Sequence, residues 1–107
     1  MNATANLRSR LHALRDEIDA IDKELLHLLT QRALLSLEVG RVKAQFSKTE
    51  NFGSTFNPQR ERQVLDNLAS WNMGTLPRQH IENIWHEIFS SSRAPQGLDR
   101  PKEEVRA

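Results

Sequence analysis

The chain has 107 residues, enough for one domain, and with 37% apolar and 6% aromatic residues a compact monomer could bury only a small core. Lys+Arg 15 against Asp+Glu 14 leaves a formal charge of +1, which argues against a general nucleic-acid binder yet allows a local cationic pocket. The absence of Cys excludes disulfide frameworks, Cys-ligated zinc and thiol catalysis, and no run approaches the roughly 18 apolar residues of a membrane span. The start, Met1 to Asn6, leads into charged sequence without an apolar h-region, so a cytoplasmic protein is expected.

The first half reads as one long helix. Leu7, Leu11, Leu14, Ile18, Ile21, Leu25 and Leu28, then Leu35, Val39, Val42 and Phe46, alternate gaps of four and three, the heptad spacing of a helix seam. The register demands an apolar residue at position 32, and the sequence supplies Arg32. Asn6 or Thr4 is the expected N-cap. Gly40 is the one helix-weakening residue before Ser47, at a cost of about 1 kcal/mol relative to Ala. A helix of about 40 residues is roughly 60 Å long, against a radius of gyration near 13 Å for a domain of this size. Its seam therefore needs a partner, and the simplest is a second copy, giving an intertwined homodimer.

Residues 47 to 57 read as a polar loop with one Gly. Asn57-Pro58 is an N-cap followed by Pro at the first helical position. The second helix places Val64, Leu65, Leu68 and Trp71 on one face, and Asn72-Met73-Gly74 ends it, with Gly74 as a left-handed cap. Thr75-Leu76-Pro77 opens a third helix whose stripe is Ile81, Ile84, Trp85, Ile88 and Phe89. Ser90-Ser91-Ser92 and Pro95 are expected to close it. The expected fold class is all-α, three helices per chain. Residues 1 to 96 form the helical domain and 97 to 107 a charged tail or linker remnant.

Arg32 is the sharpest anomaly, because a guanidinium in an apolar seam needs an anionic partner. A structural ion pair or a register-fixing polar residue explains it as well as a ligand site does. Lys43 lies eleven residues on, about 16 Å away along nearly the same side, so the two long side chains can bracket one small anion. Alone, Lys43 reads as a solvated flank. Arg15 is about 25 Å from Arg32 along the axis, so it can share a small ligand only from the other chain of an antiparallel pair. Arg60, Glu61 and Arg62 occupy the first turn of the second helix, where Glu61 suits the helix dipole and the two arginines do not. Ser92 and Gln96 are spaced i, i+4. The four histidines form no i, i+4 pair and no HExxH, so no metal site is expected. Nothing reads as a nucleophile elbow, a P-loop or a Gly-rich phosphate cradle.

The segments Leu14 to Asp22, Leu28 to Arg32, Glu38 to Lys43, Asn57 to Arg62 and Ile88 to Gln96 together resemble the all-helical class of chorismate mutases, found alone or at the start of bifunctional prephenate dehydratases. The resemblance covers roughly residues 7 to 96, and its specificity lies in five weak motifs occurring in order. It implies three helices per chain and two intertwined chains. It also implies the rearrangement of chorismate to prephenate in phenylalanine and tyrosine biosynthesis, without cofactor or metal. Carried over by position, the resemblance has Arg32 clamp one carboxylate and Arg15 of the partner subunit bind the other. It assigns Lys43 and Gln96 to the ether oxygen and Glu61 to the ring hydroxyl. Ser92 assists carboxylate binding and Arg60 supports the cluster.

Three departures matter. Asn57 stands where the family usually has Asp, at the residue that helps hold the ring hydroxyl. Pro95 stands just before Gln96 where the family usually continues the helix, which can misplace Gln96. The loop between Lys43 and Arg60 is longer than the family's. Competing readings are an isochorismate-pyruvate lyase, which Glu61 argues against, and a 4-amino-4-deoxychorismate mutase, which Asn57 leaves open. A non-catalytic dimerisation or regulatory module of a shikimate-pathway enzyme is the third, and it has no use for a cationic seam position.

Overall fold

The computed structural model describes residues 2–49, 57–72 and 74–93, and among them it contains three helices and no strand. These are α1 (Ala3–Thr49), α2 (Pro58–Trp71) and α3 (Arg78–Arg93). The all-helical expectation and the very long first helix are borne out. The chain divides into two units, Met1–Gln31 and Arg32–Ala107.

The ends of α1 lie outside the expected ones. Asn2 is the cap, its Oδ1 accepting from the Ala5 N–H at 2.7 Å, so neither Asn6 nor Thr4 starts the helix. The helix-favouring alanines at 3 and 5 let it begin one turn earlier. At the other end α1 runs to Thr49, three residues into the expected loop, because 47 to 49 contain neither Gly nor Pro to stop it. Gly40 is carried inside the helix.

The first unit is a single stretch of α1. Its seam is uncovered, with Leu7 68%, Ile18 56% and Leu28 53% exposed. No other element of that unit is available to bury these side chains.

The second unit contains the C-terminal part of α1 with α2 and α3. Asn57 caps α2 as expected, Oδ1 accepting from the Arg60 N–H at 3.1 Å, with Pro58 in the first turn. Val64, Leu65 and Leu68 are half-buried, whereas Trp71 at the last position of α2 is exposed. Gly74 has a positive φ of 93°, yet it does not cap α2. The helix stops at an extended Asn72, whose Oδ1 accepts from the Gly74 N–H at 3.0 Å while Nδ2 donates to the Leu76 carbonyl at 3.1 Å. The side chain of Asn72 thus makes the turn, and Gly74 supplies the left-handed residue inside it.

The Pro77 carbonyl accepts from the N–H groups of His80 and Ile81, starting α3 where expected. The core lies on α3 at Ile88 and Phe89, flanked by half-buried Ile81 and Trp85, while Ile84 at the edge of the stripe is exposed. Ser90, Ser91 and Ser92 do not close α3, which continues through them to Arg93. Ser91 satisfies its hydroxyl locally by donating to the Ile88 carbonyl, and Ser92 is buried. None of the described helices is long and apolar enough to cross a membrane. Pro95, Gln96 and the expected tail from 97 to 107 lie outside the described residues, as do Met73 and residues 50–56 of the expected loop.

Candidate anion-binding site

Residues 32, 35, 36, 39 and 43 fall at helical spacing on one face of α1. In the second unit that face, the start of α2 and the end of α3 enclose a cavity of about 320 Å³. This is the lower end of the range for small-molecule sites. Its apolar wall is Leu35, Val39, Val64 and Phe89, and among the described residues its polar lining sets Arg32, Lys43, Arg60 and Arg93 against the single carboxylate of Glu61. Asn57, Ser36 and Ser92 complete it.

Arg32 is held from two sides. Its Nη1 donates to Ser92 Oγ at 3.3 Å, and its guanidinium lies over the Phe89 ring at 5.6 Å from the centroid. Partial burial lowers its pKa from the ordinary value, the nearby Arg60 charge lowers it further, and Glu61 opposes both. Among the described residues no carboxylate forms an ion pair with it. The structural-ion-pair explanation of Arg32 therefore finds no partner among the described residues, and the oriented cation lines the cavity.

Arg60 reaches the site from the first turn of α2 and donates through Nη1 to Gln63 Oε1. Its neighbour Arg62 is exposed and does not line the cavity. Glu61 accepts from Arg93 Nη1, and the two side chains are only 22% and 21% exposed.

Of the residues singled out from the sequence, Arg32, Lys43, Asn57, Arg60, Glu61 and Ser92 come together around one cavity. Arg15 belongs to the first unit and is not among the lining residues, and Gln96 lies outside the described residues. Sequence reasoning missed Arg93. A basic residue in the last turn of a helix has an ordinary explanation in the helix dipole, and nothing local signals a pairing with Glu61, 32 positions away. It also assigned Leu35 and Val39 wholly to the seam, although both border the cavity. No group of His, Asp and Glu suited to a metal ion occurs among the described residues.

The structure is an all-helical fold with a small cavity which, among the described residues, is lined by four cations and one carboxylate, an arrangement suited to a small organic anion. The model of the family described as chorismate mutase type II matches residues 14–97, and the chain belongs to that family. It is 34% identical over 94 residues to the bifunctional chorismate mutase/prephenate dehydratase of Pseudomonas aeruginosa, covering 88% of this chain and 25% of that protein. The chain spans about a quarter of the length of the curated relatives it matches. Among solved structures, it is similar to a chorismate mutase from Thermus thermophilus, with TM-score 0.75 and 30% identity over 86% of this chain and 99% of that one. A chorismate mutase from Helicobacter pylori in complex with prephenate gives TM-score 0.73 and 28% identity over 92% of this chain and 99% of that one.

Proposed function

We propose that this chain catalyses the rearrangement of chorismate to prephenate, an isomerisation in phenylalanine and tyrosine biosynthesis. The observation that carries the reading is Arg32, an oriented guanidinium at a seam position, facing a cationic cavity of substrate size. The prephenate complex of the Helicobacter pylori relative supports it.

The reaction breaks the ether C–O bond as a C–C bond forms across the same molecule, so atoms and charge balance without a nucleophile. The protein's task is to hold a flexible dianion in its reactive chair and to stabilise charge on the ether oxygen. In this reading the Arg32 fork takes one carboxylate, with Ser92 and Phe89 fixing its direction. Lys43 and Gln96 donate to the ether oxygen, and Glu61 accepts from the ring hydroxyl beside Asn57. Arg60 adds positive charge to the carboxylate end.

The second carboxylate falls to Arg15 of the partner subunit in an intertwined homodimer. The uncovered seam supports this assembly, because Leu7, Leu11, Leu14, Ile18, Ile21, Leu25 and Leu28 are all exposed in the single chain. In this reading the helical domain comprises residues 1 to 96, with 97 to 107 as a charged tail or linker remnant. The small water-soluble substrate makes the cytoplasm the fitting compartment.

The test is the loss of chorismate absorbance with purified protein, with prephenate identified as product. Turnover by the parent chain and its loss in Arg32→Leu is the expected outcome. A folded dimer that leaves chorismate unchanged would sink the reading.

A further inference from the structure

Serine is a weaker helix former than Ala or Leu, because its hydroxyl competes for backbone groups, yet α3 continues through Ser90, Ser91 and Ser92 to Arg93. Helix ends fray when nothing ties them down. Arg93 supplies a tie, its guanidinium donating to Glu61 Oε2 in the first turn of α2, with both side chains largely buried. Glu61 is a firm anchor: its N–H donates to the Asn57 carbonyl at 3.1 Å, inside the turn that the Asn57 side chain caps. The residue beside Arg93 is Ser92, whose Oγ accepts from Arg32 Nη1 at 3.3 Å. That bond is near the limit of hydrogen-bond reach, so an outward shift of the turn by roughly 0.3 Å breaks it. The serine side chain is too short to make up the difference, and its Oγ goes where the backbone goes.

We infer that Arg93 is a positioning residue. By clamping the last turn of α3 to the start of α2, it keeps Ser92 within reach of Arg32 and so fixes the Arg32 guanidinium at the cavity wall. The inference rests on the mutase reading, in which Arg32 holds a substrate carboxylate. The two contacts run from α2 through α3 to α1, spanning 32 and 60 positions of sequence, so they tie together the three helices that line the cavity. Neighbours on α3 link them, and a rigid turn between Ser92 and Arg93 is all the transmission requires. Phe89, one turn earlier, holds Arg32 by its ring face and not through Ser92, so the Arg32 contact with Phe89 survives when Arg93 is removed. Arg93 acts on Arg32 through Ser92, and its removal therefore costs activity no more than removal of the Ser92 hydroxyl.

The experiment is a double-mutant cycle in kcat/KM for chorismate on the parent, Arg93→Met, Ser92→Ala and the double variant, with urea unfolding read alongside. Ser92→Ala lowers kcat/KM by roughly tenfold, the loss of one hydrogen bond to a charged group. Arg93→Met lowers it by about fivefold in the parent and by less than about twofold once residue 92 is Ala. Its stability cost persists in both backgrounds, because the bond to Glu61 does not involve the Ser92 hydroxyl. Arg93→Lys keeps a donor for Glu61 and stays within about twofold of the parent. If Arg93→Met does not fold, Arg93→Gln, which keeps an amide donor without the charge, runs the same cycle. Equal losses for Arg93→Met in the two backgrounds overturn the inference, since Arg93 then serves Glu61 or the substrate directly. No loss in the parent, or a loss that only follows the amount of folded protein, overturns it too. A parent that leaves chorismate unchanged overturns the functional reading and the inference together.

Discussion

Replacing Arg32 by Leu should separate catalysis from folding. In stability, the variant loses a hydrogen bond from Nη1 to Ser92 Oγ, 3.3 Å long, and a stacked contact with Phe89 at 5.6 Å. Together these amount to about 1–2 kcal/mol. Against that, it removes a cation whose charged form is disfavoured by burial and by Arg60, and it restores the aliphatic residue that the heptad register requires. The two sides nearly cancel, so the unfolding free energy should move by less than about 1 kcal/mol in either direction. In activity, the fork contributes two charge-assisted hydrogen bonds to a substrate carboxylate, each about 1.5–3 kcal/mol. Their loss lowers kcat/KM by roughly 10²- to 10⁴-fold. Chorismate absorbance reads the rate, and urea unfolding followed by helical circular dichroism reads the stability. A well-folded variant that keeps kcat/KM within about tenfold of the parent would refute the clamp. So would a loss of activity that merely follows a loss of folded protein, because Arg32 would then be a structural residue.

Three further outcomes follow from the same geometry. Asn57→Ala removes the acceptor of the Arg60 N–H and should cost about 1 kcal/mol, whereas Asn57→Asp should unfold close to the parent, as thermal denaturation will show. Gly74→Ala should also destabilise by about 1 kcal/mol in the same assay. The cost is purely conformational, since an added Cβ meets nothing within 4 Å while φ stays at +93°, and a neutral result would argue against the turn made by Asn72. Mixing inactive Arg15→Ala and Arg32→Leu chains after unfolding and joint refolding should regain about a quarter of the parent activity, because half of the dimers are then mixed and each holds one intact site. No regain on mixing would show that Arg15 does not serve the partner's site.

Periodicity alone determined much of this protein. The heptad from Leu7 to Phe46 has no strand reading, and its length exceeds what one small chain can cover. Asn57-Pro58 marked the start of α2 because capping is a local interaction, complete within four residues. Arg32 stood out because one cation interrupts an aliphatic register, a violation visible without coordinates. The ends of α1 and α3 were harder, since several adjacent residues cap or stop a helix almost equally well. The stop expected at Ser90 to Ser92 gave way because a serine hydroxyl inside a helix can bond to the preceding turn. Only the tertiary structure decided the side-chain pairings within the cavity. It brought Ser92 under Arg32, 60 positions away in sequence, and Arg93 against Glu61. Such pairings depend on how three helix faces converge, and a linear pattern records the faces but not their meeting. The pairing of Arg93 with Glu61 belongs to that second kind of information.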